Sequence, residues 1–188
     1  MAEVFQARQT EVMDVEFAAP SLRLPDADST AEFVLTRALD FCAQKMGADS
    51  VQTAIDCLRQ GNSTACRYCH YSLAKQVAES LGALDENVEA VYILDYDATP
   101  EDICFGEATQ PSLIHLIVWA ERKTGALDSL VAALDRALAQ RYGDLIGRHQ
   151  LMHLLDVQVI DDADVKQRVG YGALLSSLHH RPIRLWER

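Results

Sequence analysis

The chain has 188 residues, of which 49% are hydrophobic, and a net charge of -11. That length suits one large domain, or one domain with a helical appendage, and buries roughly two-thirds of the unfolded surface, so stability requires neither disulfides nor a structural metal. The acidic balance makes nucleic acid an unlikely partner, because phosphate binding depends on Lys and Arg neutralising the backbone charge.

Residues 1–27 read as an N-terminal arm. Ala19-Pro20 and Leu24-Pro25 break helices, and the alternation of Met13, Val15 and Phe17 suits an edge strand or an arm that packs on a partner or a second copy of the chain. The opening residues lack the basic stretch and apolar core of a secretory signal. No apolar run approaches the ~18 residues that span a bilayer, so no membrane association is expected. A cytoplasmic location follows, in which the five cysteines are free thiols or metal ligands rather than disulfides.

Residues 28–82 read as a three-helix region. Ser29 and Glu32 have the spacing of a capping box, and Leu35, Leu39, Cys42 and Met46 recur at helical spacing ahead of Gly47. A second helix starts at Asp49 or Ser50, carries Val51, Ala54, Ile55 and Leu58 on one face, and closes at Gly61. Asn62, Ser63 and Thr64 offer caps for a third, whose apolar face is Leu73, Ala74, Val77, Ala78 and Leu81, with Gly82 as its stop.

From residue 83 the period changes. Residues 88–94 mix β-branched and aromatic side chains, as strands do. Residues 113–119 are apolar on both faces except at His115, the pattern of a strand in the middle of a sheet. The connection between them, residues 95–112, is polar and contains Pro100, Gly106 and Pro111. A helix over residues 126–146, striped by Leu127, Leu130, Val131, Leu134, Leu138 and Leu145, leads to a strand at 154–160, which implies a parallel crossover. A further helix and a closing strand at 182–186 complete an α+β chain. Between Lys166 and Arg188 five basic residues stand against one acid, Glu187, with His179 and His180 between them. That stretch reads as a solvated face or a small anion-binding patch.

This order of helix, strand, strand, helix, strand, helix and final strand resembles the nucleotidyltransferase superfamily, in particular its minimal members. The resemblance implies a mixed four-stranded sheet over residues 83–188, preceded by the helical region. It also implies a Gly-Ser turn after the first strand and an Asp-x-Asp pair on the second to hold Mg²⁺. Here the turn reads Asp95-Tyr96, and the paired positions are Leu113 and His115. Leu cannot coordinate a hard cation, and bulk and negative charge replace the phosphate-binding glycine. Asp156 matches the family's third carboxylate. If chemistry persists, its candidates are Asp95, Asp97 and Asp156, with Glu101, Asp102 and Glu107 in the same connection. Loop carboxylates are a poor substitute for ligands fixed on strands.

One cysteine cluster stands apart. Cys66-Arg67-Tyr68-Cys69-His70 has the C-x-x-C-H spacing of haem attachment, but nothing else in the sequence indicates export or a haem cavity. A thioredoxin-like pair would follow a strand, and a helix precedes this one. Cys57, Cys66, Cys69 and His70 would form an acceptable tetrahedral zinc set if the Gly61 turn brings Cys57 close. The alternative is a set of reduced thiols in the helical core. Three functions follow: a non-catalytic nucleotidyltransferase-fold binding or regulatory module, a divergent nucleotidyltransferase with relocated carboxylates, or a metal- or thiol-dependent sensor.

Overall fold

The computed structural model describes residues 27–94, 113–177 and 181–188. The elements run α1 (Ala27–Met46), α2 (Val51–Arg59), α3 (Ser63–Leu84), β1 (Val88–Ile93), β2 (Ile114–Ala120), α4 (Gly125–Ile146), β3 (Leu155–Asp161), α5 (Asp162–Gln167), a 3-10 helix (Gly170–Ser176) and β4 (Ile183–Glu187). The fold is α+β, with five α-helices, one 3-10 helix and a four-stranded mixed sheet among the described residues.

The strand order is β3-β2-β1-β4. β1 pairs antiparallel with both β2 and β4, and β2 pairs parallel with β3. The strand pairings follow from the connections. Two strand patterns with no helical pattern between them pair antiparallel, whereas a helix between strands returns the chain in parallel.

Helix boundaries follow local chemistry. Ser50 caps α2 by accepting from the Thr53 amide at 3.2 Å, and Asn62 caps α3 through the Ala65 amide at 3.0 Å. Gly47 closes α1 at φ 63°, in the left-handed region that glycine enters without penalty. Two boundaries differ from the sequence expectation. α1 begins at Ala27, so Ser29 lies inside its first turn rather than ahead of it, and Glu32 faces Arg141 of α4 at 3.4 Å. A capping box does form, but at Asp161 and Asp164, at the head of α5. α3 runs through Gly82 to Leu84. A Cβ on Gly82 would stand 2.3 Å from the Trp186 ring, so this glycine lets α3 press against β4 rather than ending the helix.

One hydrophobic cluster extends from Ala31 to Leu185 and joins the three N-terminal helices, α4 and one face of the sheet. Val91, Ile93, Leu116, Val118 and Leu155 are among the residues the sheet supplies. Tyr142, Leu73, Leu81, Leu134 and Leu138 are among its largest fully buried side chains. No helix of the described residues is long and apolar enough to cross a membrane.

Candidate functional site

Side chains alternate across strands, so the core-facing residues leave Tyr92, His115, Ile117, Trp119, Asp156, Gln158 and Ile160 on the sheet's opposite face. None of these belongs to the main core cluster. Ile117 and Ile160 are nevertheless buried, and the 3-10 helix packs against β3. This second face is therefore apolar along its middle and polar at both ends.

At one end the parallel register sets His115 directly opposite Asp156. His115 Nδ1 and Asp156 Oδ2 are 2.9 Å apart, and Gln158 donates from Nε2 to Asp156 Oδ1 at 3.0 Å. Both carboxylate oxygens are thus engaged. With its proton on Nδ1, the imidazole presents Nε2 as an acceptor on a half-exposed side chain. Leu113 precedes His115 by two residues and is exposed. Leu113, His115 and Asp156 therefore supply one apolar residue, one imidazole and one carboxylate bound to that imidazole. An acceptor nitrogen of this kind can hold a hydrogen-bond donor or a borderline-soft cation, but the set lacks the oxygen ligands that Mg²⁺ demands.

The position of Asp156 is fixed from behind by α4. Asp135, nearly buried, accepts the Leu154 and Leu155 amides on Oδ1, each at 2.8 Å, while its Oδ2 lies 2.6 Å from His153 Nδ1. This carboxylate pins the start of β3 to the helix that precedes it. Asp135 sits beside Leu134 in the helical stripe, and nothing in the sequence spacing distinguishes it from a solvent-facing acid. Gln158 also gave no signal of its own, because its role depends on the cross-strand register.

At the other end of the face, Trp119 donates to Asp162 at 3.1 Å, and Lys166 reaches the same carboxylate at 2.9 Å. These two hydrogen bonds hold the Asp162 carboxyl below its ordinary range. Lys123 lies 2.6 Å from Asp164, lowering the acid and raising the amine. Three of the five basic residues of the C-terminal stretch are also ion-paired: Lys166 with Asp162, Arg184 with Glu187 at 2.6 Å, and Arg188 with Glu89 at 4.0 Å.

The four described cysteines lie on the other side of the sheet. Cys66 and Cys69 are fully buried in α3, and Cys57 is half-buried near the end of α2. Cys42 of α1 joins them, its thiol donating to the Ala65 carbonyl at 3.3 Å. Burial pushes the Cys42 thiol up to about 11, with the neighbouring Cys57 adding to the effect. It raises Cys69 well above its ordinary value, helped by Cys42 and Cys66 and opposed by a hydrogen bond from Tyr142. His70 is buried, its Nε2 has no hydrogen-bond partner among the described residues, and burial lowers its pKa to about 4. Among the described residues no three His, Cys, Asp or Glu side chains are placed to hold a metal ion, so Cys57, Cys66, Cys69 and His70 are not gathered into a tetrahedral set. C-x-x-C spacing turned both thiols of α3 into the core, where charge is costly, rather than toward one ion. Asp95, Asp97, Glu101, Asp102, Glu107 and Cys104, the arm residues Met13, Val15 and Phe17, and His179 and His180 lie outside the described residues.

No protein-family model, curated protein or solved structure matches this chain.

Proposed function

We propose that this chain is a non-catalytic protein of nucleotidyltransferase-like fold, acting in the cytoplasm as a binding or regulatory module that associates with itself or another protein. The observation that carries this reading is the His115–Asp156 pair. Nucleotidyl transfer needs carboxylates held on adjacent strands about one metal apart. At the matching positions Asp156 instead spends both oxygens on His115 and Gln158, and Leu113 offers no ligand. The order of strands and the helical crossover between β2 and β3 support the fold assignment. Exposed Phe33, Val169, Tyr171 and Ile183 supply apolar surface that association would cover.

The test is incubation of the full chain with labelled nucleoside triphosphates, Mg²⁺ or Mn²⁺, and protein or nucleotide acceptors. Transfer is expected to stay at background. Transfer that is reproducible and vanishes in Asp156→Ala or Asp97→Ala would establish the divergent-enzyme reading instead. Light scattering at tens of micromolar tests association: a mass above one chain, falling on deletion of residues 1–27, is the expected result.

A further inference from the structure

The helical side of the molecule carries a groove of about 440 Å³ between α1 and α3, far from His115 in the fold and on the other side of the sheet. Its volume falls within the range of small-ligand sites. Phe41 of α1 and Tyr71 of α3 supply an aromatic lining, their ring centroids 6.3 Å apart and tilted by 45°. Arg37 stands one helical turn before Phe41, and Lys75 one turn after Tyr71, so each wall brings a cation to the apolar lining. Arg37 lies 6.0 Å from the Phe33 ring and forms no ion pair among the described residues, which leaves its donor fork available. Lys75 is tied to Glu79 at 3.0 Å, an exposed pair whose partner a ligand can replace.

We infer that this groove binds a small aromatic carboxylate, with the ring against Phe41 and Tyr71 and the carboxylate held by Arg37 and Lys75. The charge balance selects a monoanion. Asp40 shares the lining and Glu79 adjoins Lys75, while Lys45 stands 5.4 Å from the Phe41 ring centroid, so Arg37, Lys45 and Lys75 outweigh the two acids by one positive charge within a chain of net charge -11. A phosphate dianion would exceed that single positive charge and be repelled more strongly by the two acids, whereas one carboxylate balances it and fits the Arg37 fork.

The experiment is an amide-resolved NMR titration of the full chain with indole-3-carboxylate, using indole-3-carboxamide and phenyl phosphate as comparators. Saturable shifts centred on Phe41, Tyr71 and Lys75 are expected, with the neutral amide and the phosphate each weaker by about tenfold or more. Arg37→Gln, at an exposed position that leaves the fold intact, is expected to weaken the carboxylate by about the same factor. Absence of saturable binding, equal binding of the carboxamide, tighter binding of the phosphate, or indifference to both Arg37→Gln and Lys75→Gln would each overturn the assignment.

Discussion

The two faces of the sheet follow opposite rules. The face toward the helices is a dry, close-packed core in which even polar groups are held neutral: thiols are raised by burial and His70 is lowered to about 4. The outer face keeps its ionisable groups paired and partly in water, from His115–Asp156 at one end to Lys123–Asp164 at the other. Stability therefore resides on the helical face, whereas the outer face is free to carry recognition. The described cysteines and the His115–Asp156 pair separate on this basis.

The largest expected effect comes from Asp135, the buried carboxylate that joins α4 to the start of β3. Asp135→Ala would leave the Leu154 and Leu155 amides without their acceptor, and chemical denaturation should show a loss of about 3 to 5 kcal/mol. A loss below about 1 kcal/mol would mean that α4 does not hold β3 in place.

Next comes the pH response of the core. The unfolded chain takes up a proton on His70 as pH falls through about 6.5, while the folded chain resists protonation until about 4. Stability is full above the unfolded value and declines between those pH values, by on the order of 3 kcal/mol from this residue. His70→Leu should flatten the decline between pH 6.5 and 4 in denaturant melts. The outer-face acids Asp162 and Asp164, whose folded pKa values are depressed, act in a lower window: their contribution is present above the ordinary carboxylate range and is lost as pH falls below it. An unchanged slope in the leucine variant would show that His70 is not held neutral.

Gly82→Ala should cost about 1 to 3 kcal/mol, because Trp186 must move to admit a methyl group and α3 loses its seat on β4. A crystal structure of the variant in which Trp186 is undisturbed would remove that explanation. On the outer face, His115→Ala should change stability by only about 0 to 1 kcal/mol, as a half-exposed pair does. A loss comparable with that of Asp135→Ala would erase the contrast between the two faces.

What could be read directly from the sequence was what local periodicity encodes. The cap regions at Asp49 or Ser50 and at residues 62–64, which the structure resolves to Ser50 and Asn62, the strands at 88–94 and 113–119, and the crossover through α4 all carry their signals within a few residues. Gly82 was misleading because a glycine that ends a helix and a glycine that admits a neighbouring ring have the same sequence appearance. Ser29 and Glu32 had the letters of a capping box, but α1 starts two residues earlier and Glu32 faces Arg141. The His115–Asp156 contact joins residues 41 positions apart and depends on parallel register, which no local pattern specifies. The Cys57, Cys66 and Cys69 spacing suggested chelation, yet helix rotation directs the α3 thiols into the core.

The proposal that the His115–Asp156 pair leaves the outer face without a Mg²⁺-type metal site is tested most directly by Mn²⁺. Paramagnetic broadening of amide signals during a Mn²⁺ titration reports where the cation sits. The wild-type chain is expected to show no saturable broadening centred on residues 113–116 and 155–157, whereas Leu113→Asp combined with His115→Asp should create it. Saturable broadening there in the wild type, abolished by Asp156→Asn, would contradict the account.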